Sequence, residues 1–207
     1  MRRRTLLASV CGSAAVLGGC TVPQSDSRDR SYIPRSADGF PTHTTGFRDL
    51  NPWDFDEREP AQTITIGSET DLEDSFEPHD IYLWNTLAER DIDIRLIDMW
   101  EREIVFDETE TVPSDSIYSF TVWTPAVYLL ELYVPDTDTQ QVLRIRCRFF
   151  DCNISSTRVA LEADDQFEAI AQSTLALCPN PICESGESIE ERAAEISINL
   201  SPDVDLE

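Results

Sequence analysis

The chain has 207 residues, with 16 basic and 40 acidic side chains and a formal net charge of −24. All of the basic residues are arginine, and there is no lysine. So acidic a chain lacks the basic footprint that phosphate binding needs, which argues against nucleic acid as a partner and against direct adsorption to an anionic lipid surface.

Residues 1–19 read as a signal peptide. Arg2, Arg3 and Arg4 precede an apolar and small-residue run from Thr5 to Gly19. That run falls short of the roughly 20 residues a membrane span needs, and has the length of a signal h-region. Arg3-Arg4-Thr5-Leu6-Leu7 matches the twin-arginine pattern, a receptor-read export address; a Sec signal with an extra arginine is the alternative. Leu17-Gly18-Gly19-Cys20 has the form of a lipobox. Small residues let the extended chain enter a narrow peptidase cleft, and the Cys20 thiol takes the lipid as a thioether. The expected location is therefore the outer face of the cell membrane, with the membrane a partner through covalent lipid. Removing the leader takes away three arginines and no acid, leaving 13 bases against 40 acids, a charge of −27. The Debye length is about 8 Å at physiological salt and about 3 Å at 1 M, so such charge is well screened only in brine. The composition thus points to a halophile.

Residues 20–60 are expected to form a flexible tether behind the lipidated cysteine. They hold Pro23, Pro34, Pro41, Pro52 and Pro60 among many Ser, Asp and Arg, a composition that buries little apolar surface. Within it, Trp53 and Phe55 of Asn51-Pro52-Trp53-Asp54-Phe55 are expected to dock on the domain. From residue 61 to 171 the pattern becomes period two, as half-buried strands require. Thr63–Ile66, Ile81–Trp84, Asp91–Leu96, Glu103–Phe106, Ile117–Val122, Val142–Phe149 and Arg158–Ala163 alternate, and Ala126–Val134 is apolar enough for a central strand. About eight short strands separated by turn-formers such as Pro135-Asp136-Thr137-Asp138 predict an all-β fold, a single antiparallel sandwich. Gln166–Ala171 fits a hairpin strand better than the helix its stripe also allows. Residues 172–207 form a cysteine-containing tail, with a capping-box spacing at Ser188-Ile189-Glu190-Glu191 that allows a short helix.

Ile81–Asn85, Ile92–Ile97, Ile104-Val105-Phe106, Tyr118–Val122 and Tyr128–Val134, behind this leader and tether, resemble the haloarchaeal Ig-like lipoproteins. The resemblance implies one small Ig-like sandwich and carries no activity to transfer. Tyr128 is similar to the tyrosine of a Greek-key corner, without a cysteine two residues on.

Cys147, Cys152, Cys178 and Cys183 form two C-x4-C pairs. A four-cysteine zinc site is one reading; disulfides are the expectation outside the cell. Three connectivities are open, with local pairing, Cys147 to Cys152 and Cys178 to Cys183, expected first. A blue-copper site needs two His, a Cys and usually a Met, and His43, His79 and Met99 do not supply it. No metal or other cofactor is expected. A Ser–His–acid set would have to use His79, and no Gly-x-Ser-x-Gly elbow occurs. Asp136-Thr137-Asp138-Thr139 lacks a full calcium loop and reads as a strand connection. Arg144, Arg146 and Arg148 alternate along one expected strand, either pairing with acids such as Asp93 or Glu131 or forming an anion-binding stripe. Asn153 and Asn199 head glycosylation sequons. The expected function is a lipid-anchored domain that presents a surface for binding or assembly with an envelope protein or glycan. The alternative is an exported enzyme or accessory domain acting on a surface polymer.

Overall fold

The structure, a computed structural model, describes residues 31–44, 47, 50–72, 76–174, 176–178 and 183. It is a sandwich of two β-sheets. The strands are β1 (Gln62–Ile66), β2 (His79–Asn85), β3 (Arg90–Asp98), β4 (Glu103–Val112), β5 (Ser116–Val122), β6 (Tyr128–Val134), β7 (Thr139–Ile145), β8 (Ser155–Glu162) and β9 (Gln166–Ser173). One sheet has the order β1-β5-β2-β8-β9 and the other β4-β3-β6-β7. Alternation decides which face each strand buries. In β3, Ile92, Ile94 and Leu96 point inward and are at most 1% exposed, while Asp91, Asp93 and Arg95 face out. Tyr118, Phe120 and Val122 of β5 meet them across one continuous apolar core. Near-continuous apolarity in β6 has a different cause. The strand lies between β3 and β7, and its outward Leu129 is covered by Ala37 and packs with Ile97.

Strands β2 to β7 follow the order of an immunoglobulin-type sandwich, β2 beside β5 and β3 between β4 and β6. The Tyr128 hydroxyl donates to the Thr124 carbonyl at 2.7 Å, closing the corner before β6. Two pairings depart from the antiparallel expectation: β1 runs parallel to β5, and β2 runs parallel to β8. Parallel neighbours require a crossover. For β2 and β8 it is supplied by the whole excursion through β3 to β7, which lies in the opposite sheet except for β5, and the return through residues 146–154. That return includes a 3-10 turn at Cys147–Phe149, so the strand expected over 142–149 ends at Ile145. The hairpin expected at 166–171 is present as β9, antiparallel to β8. Ser188–Glu191 lies outside the described residues.

The largest correction concerns the tether. Residues 20–30 lie outside the described residues, but from Ile33 onward the chain is laid against the sandwich. Ala37, with Ile33 and Phe40, packs on Ile97 and Leu129 of the four-stranded sheet. The Arg144 amide donates to Pro41 O at 2.7 Å on the edge of β7, and the Thr44 amide to Ala169 O at 2.9 Å on the edge of β9. Thr44 Oγ1 accepts from the Ala169 amide at 2.8 Å. Phe55 then packs edge-on to Trp84 at 5.1 Å over the outer face of the five-stranded sheet. Arg158 holds this strap by donating to Pro52 O and to Asp56 Oδ1. Six spaced apolar side chains and two bonded sheet edges offset the ordering entropy that composition alone suggested would win. Of the two docking aromatics, Phe55 is buried and Trp53 stays 66% exposed.

Candidate functional site

The four cysteines come together, but not locally. Cys147 pairs with Cys183 (Cα–Cα 5.9 Å) and Cys152 with Cys178 (Cα–Cα 5.5 Å), in place of the expected local pairs. The cause is the β8–β9 hairpin, which sets Ser155 opposite Ser173. Continuing outward, the chain after β9 runs beside the chain before β8. Asn153 ties the two: its Nδ2 donates to Ala176 O at 3.2 Å and its Oδ1 accepts from the Ala176 amide at 2.6 Å. Asn153 is only 3% exposed. Its amide nitrogen is buried and spent on backbone, which corrects the glycosylation reading at this sequon in the folded chain. Asn199 lies outside the described residues, as do Cys20 and the leader residues Arg3, Arg4, Leu6, Leu7, Leu17, Gly18 and Gly19.

The arginine stripe does not exist as a stripe. Arg144 lies on β7, Arg146 follows the strand's end and is buried, and Arg148 sits in the 3-10 turn, its guanidinium 5.7 Å from the Phe149 ring. The Arg144 ion pair is with Asp38 of the docked N-terminal segment, at 3.5 Å. Of the expected partners, Glu131 pairs with Arg95 at 3.3 Å, and Asp93 accepts from Thr109 at 2.6 Å.

His79 does meet a serine. Its Nδ1 lies 2.7 Å from Ser155 Oγ and its Nε2 2.9 Å from Thr157 Oγ1. Ser155 donates its proton to Phe149 O at 2.7 Å. Nδ1 therefore carries the hydrogen and Ser155 accepts it, while Nε2 accepts from Thr157. The direction is opposite to that of a serine handing its proton to a base. The ring is fully buried, stacked on Phe149 at 5.1 Å, and burial lowers its pKa to about 3. This is a neutral core histidine.

Among the described residues, two of the hollows lie on the outside of the sandwich. One, of about 590 Å³, sits where the strap meets β2: Arg58 covers the Trp84 ring at 4.3 Å and pairs with Asp115 at 2.8 Å. Trp84 Nε1 also donates to Asp115 at 3.1 Å. The chain's own arginine thus occupies the cation position. The other, of about 540 Å³, is a groove between β1 and β4. These are the edge strands of the two sheets, and among the described residues no strand pairs with either outer edge. The opposite side of the sandwich, between β7 and β9, is the one residues 41–44 close. Apolar Ile64, Ile66 and Phe106 floor the groove; Asp98, Glu101 and Glu103 rim it, and its lining holds no base. Asp98 Oδ1 accepts from the amides of Trp100 (2.8 Å) and Glu101 (3.1 Å), shaping the β3–β4 turn, on which Trp100 is 53% exposed. Sequence reading missed Trp100. The signal was present as an isolated tryptophan in the acidic turn Asp98–Arg102.

Compared with known protein families and with curated proteins, the chain matches no family model and no curated sequence.

Proposed function

We propose that the chain is a lipoprotein of a halophile's envelope, held through Cys20 on the outer face of the membrane, whose Ig-like sandwich presents a surface for binding or assembly. The observation that carries the presentation reading is the filled interior: one apolar cluster occupies the space between the sheets, and both hollows lie outside it. The leader motifs, the lysine-free acidity and two disulfides, which fit an oxidising compartment, support the location. Because the chain docks from Ile33 onward, only residues 21–32 separate the lipid from the domain. Fully extended, that is at most roughly 45 Å, so the domain is carried near the membrane surface. Cys20→Ser should move the protein from the membrane fraction to the medium; membrane recovery at wild-type level would end the anchoring reading. Replacing Arg3 and Arg4 by Lys should block export, whereas normal export would point to the Sec route. The presentation reading is tested by cross-linking on intact cells and identification of what is joined to the domain.

A further inference from the structure

We propose that residues 196–201 of this same chain close the groove between β1 and β4, adding an antiparallel strand to the free edge of β1. The proposal goes beyond the presentation reading and is independent of how the chain is anchored.

The sandwich has two open sides, and the chain closes one of them with itself, where residues 41–44 bond the edges of β7 and β9. The other is the groove between β1 and β4, whose Ile64, Val105 and Phe106 are only partly buried against the core. A sheet edge of this kind offers unpaired backbone groups to a further strand. Of the two edges, β4 carries a register shift at its groove end, opposite Leu96 and Ile97, which interrupts regular pairing. β1 pairs with β5 without a shift. That register sets Ile64 and Ile66 on the inward face beside Phe120 and Val122, and Thr63 and Thr65 on the outward face. A strand added to β1 therefore needs apolar side chains on one face and small neutral polar ones on the other.

Residues 184–207 lie outside the described residues. Among them, Ile196-Ser197-Ile198-Asn199-Leu200-Ser201 has that composition: strict alternation, with no charge, in a chain of net charge −24. Pro202 follows and ends the run, since it has no amide for a ladder. The alternation beyond it, Asp203 to Glu207, is acidic at every second position and would add carboxylates to a groove already rimmed by Glu101 and Glu103.

Reach and direction also agree. Cys183 is bridged to Cys147, just past the end of β7 at Ile145. Ile145 pairs with Tyr128, Tyr128 with Asp98, and Asp98 with Glu103, so the bridge leaves the chain at the end of the sandwich where the groove lies. Crossing the other sheet from β9 to β1 takes four strand spacings, about 19 Å. Residues 184–195 span at most roughly 40 Å. The segment arrives at the Ile66 end of β1 and runs back toward Gln62, antiparallel to it. Ile196 and Ile198 then stand beside Ile66 and Ile64 and cover Phe106. Ser197 and Asn199 stand beside Thr65 and Thr63, where cross-strand hydroxyl and amide groups can bond.

The experiment uses the full chain, oxidised, in 2 M NaCl. Amide exchange over residues 61–67, read by mass spectrometry, should be slow in the wild type. It should be at least tenfold faster in Ile198→Pro and in Ile198→Asp, while residues 166–173 of β9 exchange as before. Leu206→Pro should change neither. Thr65→Cys combined with Ser197→Cys should form a third bridge, seen as a linked peptide after non-reducing proteolysis; Thr65→Cys with Ser201→Cys should not. Exchange over 61–67 that ignores both Ile198 variants overturns the proposal, as does the absence of the linked peptide. Light scattering should show a monomer. A dimer that Ile198→Pro dissolves would put the strand on a second copy and overturn closure within one chain. Failure here leaves anchoring, read by Cys20→Ser, untouched, and loss of anchoring leaves the exchange result standing.

Discussion

His79 contributes more to how this domain responds to acid than to any chemistry. It is fully buried with its pKa lowered to about 3, whereas in the unfolded chain it titrates near the ordinary 6.5. Between those values the unfolded state binds a proton that the folded state refuses, so stability falls as pH drops from about 6.5 toward 3. The slope approaches 1.4 kcal/mol per pH unit at most, on the order-of-magnitude scale. Neighbouring Asp80 works the other way: burial raises its carboxyl, so its contribution is present at low pH and is lost as pH rises above the usual Asp range. The clean measurement is therefore a difference. The stability gap between wild type and His79→Gln should narrow steadily as pH falls from 6.5 to 4, and a constant gap would show that the imidazole is not held neutral. A second buried polar residue acts through geometry alone. Asn85, 0% exposed, ends β2 by donating to Ala88 O, Val112 O and Pro113 O at 2.9, 3.0 and 3.2 Å and accepting from the Leu87 amide. It joins the end of one sheet to the turn leaving the other. Asn85→Ala orphans several backbone groups at once and should cost on the order of 3 kcal/mol, measured as a lowered midpoint in urea rather than in guanidinium, itself a salt.

Among the elements, the β8–β9 hairpin governs the cysteines. Both bridges are centred on residue 165, at the hairpin turn where Asp164 and Asp165 take positive φ of 71° and 53°. They extend the hairpin's antiparallel pairing outward as a nested pair. The spacing C-x4-C twice, mirrored about a turn, was therefore a legible signal for non-local pairing. It was overlooked because each short pair looks closable by itself, and because the hairpin and a helix were both open over residues 166–178. The strands themselves were legible because half-buried strands show period two, down to the inward sets of β3 and β5. Parallel pairing was not, since alternation is the same whichever way a neighbour runs. Nor was the end of β7: Arg144, Ile145, Arg146, Cys147, Arg148 keeps alternating in sequence straight through the 3-10 turn. The strap escaped notice because Phe47, Leu50 and Phe55 follow no period. Closing a loop of 26 residues should contribute about 3.5 kcal/mol by chain entropy, more than the short local loops would. Nesting makes the second bridge worth less than the first, because the first already holds the ends close. Cys152→Ser with Cys178→Ser should thus lower the urea midpoint modestly while the outer bridge remains, and adding Cys147→Ser with Cys183→Ser should lower it by a larger further amount. Non-reducing proteolysis should yield a linked peptide joining the 147–152 region to the 178–183 region; two separate cysteine pairs would refute the topology.

At the scale of the molecule, the spacing of the acids sets the salt at which the sandwich holds. Same-face neighbours on a strand stand about 6.7 Å apart, as Glu108 and Glu110 do on β4 and Asp91 and Asp93 on β3. That distance falls between the Debye lengths of about 3 Å at 1 M and about 8 Å at 0.15 M salt. Each such pair repels by about 0.6 kcal/mol in unscreened water. About a tenth of that survives at 1 M and nearly half at 0.15 M, so dilution adds about 0.2 kcal/mol per pair. Against −24 net charges the sum reaches several kcal/mol, a large part of a normal domain's 5–15 kcal/mol, taking the usual range as roughly that. The unfolded chain spreads the same charge over a larger volume, so the cost falls on the folded state. Lowering NaCl from 2 M to 0.15 M should therefore drop the melting temperature by ten degrees or more. Sucrose, which favours burial by exclusion but screens nothing, separates the two actions of salt: added at 0.15 M NaCl it should recover only part of the loss. Glu108→Gln with Glu110→Gln should shrink the salt-dependent shift while leaving the melting temperature in brine nearly unchanged. A melting temperature independent of NaCl across that range would show that these carboxylates are spaced or paired too well to repel, and that the acidity has another origin.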